Sequence, residues 1–292
     1  MIRKLLMEKV QHVIAEYTSR NQSDYYNDKV TRKKESCRQR HAEIVKVDAT
    51  GKIQRITHQR DETQSILYDV HYKYLIKHGD LLYLEEEVEN RSGVFYKDKI
   101  YEDREIEVKR DEGPEEEEED MICEEKDRVT YSYDRLSAVQ YAERWWNSYN
   151  PAYKKFENDC TNYISQCLHA GDAPMRGYPT KGKGWWMRNQ SWSYSWTVAN
   201  SLRWYIPNST IGLRGRLVDD PKELKLGDVI CYDFEGDGRF DHTTIVTGKD
   251  AAGEPLVNAH TFNSRMRYWK YEDSTAYTPN MKYRFFTIVD DA

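Results

Sequence analysis

From Asp111-Glu112-Gly113-Pro114 through Glu115 to Asp120 the chain is almost wholly acidic. A block of like charges repels itself and stays solvated, so it cannot enter a packed core. It therefore divides the 292 residues into two folded parts, a length that suits one large or two medium domains. The division predicts a small accessory domain over 1–102, an acidic linker over 103–128 and a larger domain over 129–292.

The first part reads as helix followed by strands. Ile2, Leu5, Leu6, Val10, Val13, Ile14 and Tyr17 recur at helical spacing, which predicts an amphipathic helix over about 2–19. Residues 43–47 and 52–56 alternate like strands around Asp48-Ala49-Thr50-Gly51, a hairpin signal. Two more strands are predicted over 65–72 and 81–88. A helix with an antiparallel meander gives a helix-on-sheet layer, a pattern that resembles cystatin-like or nuclear-transport-factor-2-like (NTF2-like) folds. The basic cluster Lys29 to Arg40 reads as a solvated helix end or loop. His58, His71 and His78 are isolated and read as surface or structural residues.

The balance of charge narrows the partners. Forty-four basic residues against fifty acidic ones give a net charge of −6. A general nucleic-acid footprint is absent, and no nucleic-acid partner is expected. No apolar run is long enough to span a membrane, so no membrane partner is expected either. Glu8, Lys9 and Gln11 interrupt the apolar start that a signal peptide would need. The expected location is cytoplasmic, or secreted or cell-wall if a leader has been removed. The five cysteines form neither a disulfide framework nor a zinc spacing, and neither metal nor cofactor is expected.

The second part carries the chemistry. A helix is predicted over 137–146, capped by Asp134 or Ser137. After a turn at Asn150-Pro151-Ala152-Tyr153, a second helix runs over 160–170 and closes at Gly171. Asn158 or Asp159 caps it, which puts Cys160 in its first turn, where the helix dipole and free N–H groups favour a thiolate. A further helix is expected over 196–205. Strands follow at 229–232, 243–247, 256–260, 266–270 and 283–289, giving an α+β domain. Asp241-His242 opens the second of these strands, where an imidazole projects from a rigid element and can serve Cys160 as base. If the turn after Thr247 centres near Ala251, His260 lies opposite His242 and orients it. Asn258 shares that face and is the alternate third member.

These residues resemble a known family. Asn150 to Tyr153, Asn158-Asp159-Cys160-Thr161-Asn162 with Tyr163 to Leu168, Trp185-Trp186, Ser195-Trp196, Leu226 to Val229 and Gly236 to Thr243 are similar to the putative amidase domain family. That family is a branch of the papain-like NlpC/P60 group of cysteine hydrolases. The resemblance spans about residues 135–290. It implies a nucleophile helix packed on an antiparallel sheet that carries the base and the third polar residue. It also implies a Cys160 N–H, aided by Asn158, that stabilises an oxyanion, and a cleft lined by Tyr153, Trp185, Trp186 and Trp196. The implied substrate is a peptide-like amide, cell-wall peptides among them.

One loop has a second reading. Asp233, Glu235, Asp237 and Gly238 sit near the positions of a calcium loop, but Thr244 stands where its bidentate Glu belongs. A tight turn before His242 explains the acids better. The function expected is hydrolysis of an amide by a cysteine amidase or peptidase. Acyl transfer by the same triad and peptide or glycan binding without turnover are the alternatives. The accessory domain is expected to dock a partner or to regulate the site.

Overall fold

The computed structural model describes residues 2–19, 27–58, 63–97, 99–106 and 130–291. Most of the expected linker, and Cys123 within it, lies outside the described residues. Contacts divide the chain into one unit of Met1–Glu107 with Phe262–Ala276 and another of Val108–Thr261 with Tyr277–Ala292. Residues 262–276, grouped above with the C-terminal domain, thus fold with the N-terminal one.

In the N-terminal unit, helix α1 (Ile2–Thr18) and helix α2 (Asp28–Gln39) accompany long antiparallel strands. Asn27 starts α2, its side chain accepting from the N–H groups of Lys29 and Val30. Strand β1 (Ala42–His58) pairs with β2 (Thr63–His78), which pairs with β3 (Leu81–Tyr96). The far edge of β3 holds β4 (Lys99–Glu105) and, from the later segment, β11 (Ser264–Tyr268). The expected hairpin at Asp48–Gly51 does not form: Asp48, Ala49, Thr50 and Gly51 pair with Lys73, Tyr72, His71 and Val70. A continuous partner strand satisfies the backbone there, so turn-prone residues stay extended. Residues 103–105, counted above with the linker, end strand β4.

Two lysines of the basic cluster are not solvated, although Arg38 is exposed. α2 carries Lys29 into contact with Glu87, Glu89 and Glu105, at 3.1, 2.7 and 3.1 Å. One turn on, Lys33 is buried between Glu85 and Asp273. Alternation along β3 explains the set, because Glu85, Glu87 and Glu89 share one face. Burial alone would lower Lys29 and Lys33, but these carboxylates raise both well above the ordinary lysine value.

In the C-terminal unit, α3 (Arg135–Trp145) is capped by Asp134, which accepts from Ser137 N–H at 3.0 Å. α4 (Cys160–Ala170) follows, wholly buried through Leu168. Strands β5 (Met187–Arg188) and β6 (Ser191–Trp192) form a small hairpin. The single helix expected near 196–205 is two, α5 (Tyr194–Thr197) and α6 (Ala199–Asn208), broken by extended Val198. The sheet is antiparallel in the order β10 (Pro255–Ala259), β9 (His242–Lys249), β8 (Val229–Asp233), β12 (Lys282–Val289), β7 (Arg214–Val218). Val229, Cys231, Ile245, Phe286 and Ile288 pack with Tyr163, Ile164, Cys167 and Leu168 of α4 in one core. The architecture is a mixed α+β fold with helices on an antiparallel sheet. Among the described residues no helix is long and apolar enough to cross a membrane.

Candidate active site

Cys160 is the first residue of α4 and is 5% exposed. Its Sγ lies 3.7 Å from Thr161 Oγ1 and 4.0 Å from the carbonyl oxygen of Asp241. Thr161 in turn meets Thr243, hydroxyl to hydroxyl, at 3.2 Å. The helix start is thereby seated on the first residues of β9, with His242 between these two contacts in sequence. His242 is buried opposite Tyr232, its ring 5.7 Å from that of Tyr232 and 6.0 Å from that of Phe234. Burial pushes the Cys160 thiol up from its ordinary value, and hydrogen bonds from Thr161 and Thr243 offset this in part.

The residue before the cysteine does not cap the helix with its own side chain. Asp159 Oδ1 accepts from Phe156 N–H and Asn162 Nδ2, both at 2.9 Å. Its Oδ2 faces His260 Nδ1 at 2.9 Å. The other ring nitrogen, Nε2, faces the carbonyl oxygen of Trp145 at 2.7 Å. Both ring nitrogens are therefore engaged, one by the Asp159 carboxyl group and one by a backbone carbonyl. The ring also stacks on Tyr163, centroids 4.0 Å apart and planes at 11°. Capping falls to the neighbour of His260: Thr261 Oγ1 accepts from both Asp159 N–H, at 2.9 Å, and Cys160 N–H, at 3.1 Å.

Three expectations change here. The turn after β9 centres on Ala252, with Lys249 opposite Pro255, and a register shift follows between Leu256 and Val257. Asn258 therefore pairs with Ile245, and His260 does not come opposite His242. A slip of one residue moves a side chain to the other face. The alternate, Asn258, accepts from Thr247 Oγ1 and donates to Glu143 Oε1, both at 2.8 Å. Second, Trp185, Trp186 and Trp196 are at most 1% exposed and line no open cleft. Their indole N–H groups go to Ser165 Oγ, to the Thr180 and Lys183 carbonyls and to Asn162 Oδ1. Tyr153 is half-buried and stacks on Trp196 at 6.1 Å. Third, the Cys160 N–H expected to hold an oxyanion already has an acceptor, Thr261; Asn158 is only partly buried.

The acidic loop before His242 folds on itself. Asp233 accepts from the N–H groups of Gly236, Asp237 and Gly238 at 2.7, 3.2 and 2.8 Å. Gly236 has φ +74°, and a Cβ there would meet the Asn280 carbonyl oxygen at 2.2 Å. Among the described residues no cluster of His, Cys, Asp or Glu could hold a metal ion. A groove of about 540 Å3 in the N-terminal unit is lined by Ile2, Arg3, Ile53, Ile56, Gln64 and Lys97, with no cysteine or histidine among them.

The family model described as the putative amidase domain matches residues 132–286, more than half of the chain, and spans every residue of the site just described. This chain belongs to that family. "Uncharacterized protein YhbB" of Bacillus subtilis (strain 168) is 49% identical over 298 aligned residues, covering 100% of this chain and 96% of that protein. "Uncharacterized protein YjcM" of the same organism is 34% identical over 140 residues, 45% of this chain and 31% of that one. No solved structure matches. The amidase-domain site has two members that sequence reasoning passed over, Thr261 and Asp159 in its role as partner of His260. Asp159 was visible only as a cap, since its spacing from Cys160 fits that role. No spacing rule points to Thr261, which reaches the helix from a residue beyond β10.

Proposed function

We propose that the C-terminal unit is a cysteine amidase of papain-like type, acting on a peptide-like amide. The observation that carries the reading is the seating of Cys160, in the first turn of a buried helix, on the strand start that bears His242. His242 takes the thiol proton, and the sulfur attacks the amide carbonyl carbon. The tetrahedral intermediate collapses as His242 returns the proton to the leaving nitrogen, releasing an amine and leaving a thioester. Water, deprotonated by His242, then cleaves the thioester to a carboxylic acid and the free thiol. The Asp159–His260 pair, engaged on all sides, holds the helix start in place and takes no proton in this scheme.

The test uses a pool of short peptides and their C-terminal amides, with released amines identified by mass spectrometry. Wild-type protein is expected to release an amine that Cys160→Ala protein does not, a loss of at least about 10³-fold for removal of a covalent nucleophile. Equal release by both proteins would sink the reading. A second reading, peptide binding without turnover, draws support from the upward push on the Cys160 thiol, the reverse of nucleophile preparation. Binding of a pool member without release of any amine would favour it.

A further inference from the structure

Thr261 has φ +73°. A β-branched residue is rarely found in that left-handed region, so the local backbone is fixed by its surroundings. Those surroundings are plain: His260, one residue earlier, is held by Asp159, Trp145 and Tyr163. The outcome is a hydroxyl oxygen aimed at two backbone N–H groups at the start of α4, one of them that of the candidate nucleophile. Asp159, the residue placed to cap the helix, has its carboxylate committed elsewhere. Thr261 itself is only partly buried, whereas Cys160 is buried.

A carbonyl attacked by Cys160 Sγ develops negative charge on oxygen close to the Cys160 N–H, the usual place for such a donor. That place is filled by Thr261 Oγ1. We propose that Thr261 gates the site: its hydroxyl holds the oxyanion position in the resting protein, and a bound carbonyl displaces it. The inference rests on Cys160 being the nucleophile. It makes Thr261 a positioning residue, since it acts through the N–H that it occupies and not on the reacting atoms. The buried, uncharged thiol then belongs to the closed state, and a substrate able to take over both N–H groups opens it.

Two reagents separate this role from simple helix capping. N-acetyl-alanyl-alaninal, a peptide aldehyde, adds the Cys160 thiol across its C=O bond. A C–S bond forms, the thiol proton passes to oxygen, and the hemithioacetal oxygen needs the Cys160 N–H. Iodoacetamide alkylates the same sulfur with loss of iodide and generates no oxyanion. In Thr261→Val protein the competing acceptor is gone while the shape is kept. Its affinity for the aldehyde is expected to rise about 3- to 10-fold, the worth of one net hydrogen bond. Its alkylation rate at Cys160, located by peptide mapping, is expected to change less than about 2-fold, so the ratio of the two readouts moves. Thr261→Ser, which keeps the hydroxyl, is expected to restore the wild-type ratio. A Thr261→Val ratio equal to wild type, or aldehyde affinity that falls, overturns the gate while leaving Cys160 as nucleophile. If no variant reacts with either reagent at Cys160, the nucleophile reading fails and the gate with it. Circular dichroism melts of each variant confirm that folded protein is compared.

Discussion

Asp159 meets three buried partners, the Phe156 N–H, the Asn162 amide and the His260 ring. The Asp159 and His260 side chains are at most 3% exposed, so solvent does little to screen them. Removing Asp159 leaves the Phe156 N–H, the Asn162 amide and the His260 ring without their buried partner. Asp159→Ala is therefore expected to destabilise the protein by about 3–5 kcal/mol, read as a lower urea midpoint. An unchanged midpoint would mean that these hydrogen bonds contribute little. At this scale the sequence placed residues on their elements better than it showed what they touch. Cys160 at a helix start and His242 at a strand start stand on the elements expected of them. The partner of His260 did not follow from the sequence, because a one-residue displacement of the turn and a bulge decide which strand residues face each other. The tryptophans were misplaced for a related reason: an indole looks alike in sequence whether its N–H finds Ser165 inside a core or a ligand at a surface.

Helix α2 shows how a mostly polar element can still be buried on one side, Lys33 lying there with Val30 and Cys37. Its Lys33 lies between Glu85 and Asp273, and the same acidic face of β3 holds Glu87 at about 2, where burial would raise it but Lys29, Lys33 and Arg267 hold it down. Lys33→Met is expected to cost about 3–5 kcal/mol, because two carboxylates would lose a buried cation. The check is the urea midpoint of the variant. A compensating Glu85→Gln change should recover part of the loss, as coupled sites do not add. Helix limits were legible where local chemistry sets them, as at Asp134 for α3 and at the end of α4, whereas the capping hydroxyl at the start of α4 comes from distant Thr261. Gly171 closes α4 as expected, yet not by a left-handed backbone: its φ is −84°, and Asp172 adopts φ +67° instead. Glycine is needed there because a Cβ would meet the Tyr133 ring at 2.5 Å. Strand limits in β1 were illegible, since the pairing of Gly51 with Val70 depends on a strand that begins beyond the end of β1.

Across the whole molecule the described free thiols share one property. Burial raises Cys37, Cys160, Cys167 and Cys231 above the ordinary thiol value. A raised folded-state value means that the native protein keeps protons the unfolded chain would release. Their contribution to stability is whole below the unfolded thiol value of about 8.5 and is lost as pH rises through the folded values. The unfolding free energy from urea titrations is thus expected to fall between pH 7.5 and pH 10, by about 1–2 kcal/mol for each fully shifted thiol. A flat profile over that interval would count against burial of these groups. The path of the chain has its own consequence. After Thr261 the backbone leaves one unit, supplies β11 to the ladder of β3, and returns at Tyr277. The chain thus visits the N-terminal unit twice. A protease that cut only between 107 and 129 would free no separate half, because the downstream fragment would still own a strand that is laced into the upstream sheet.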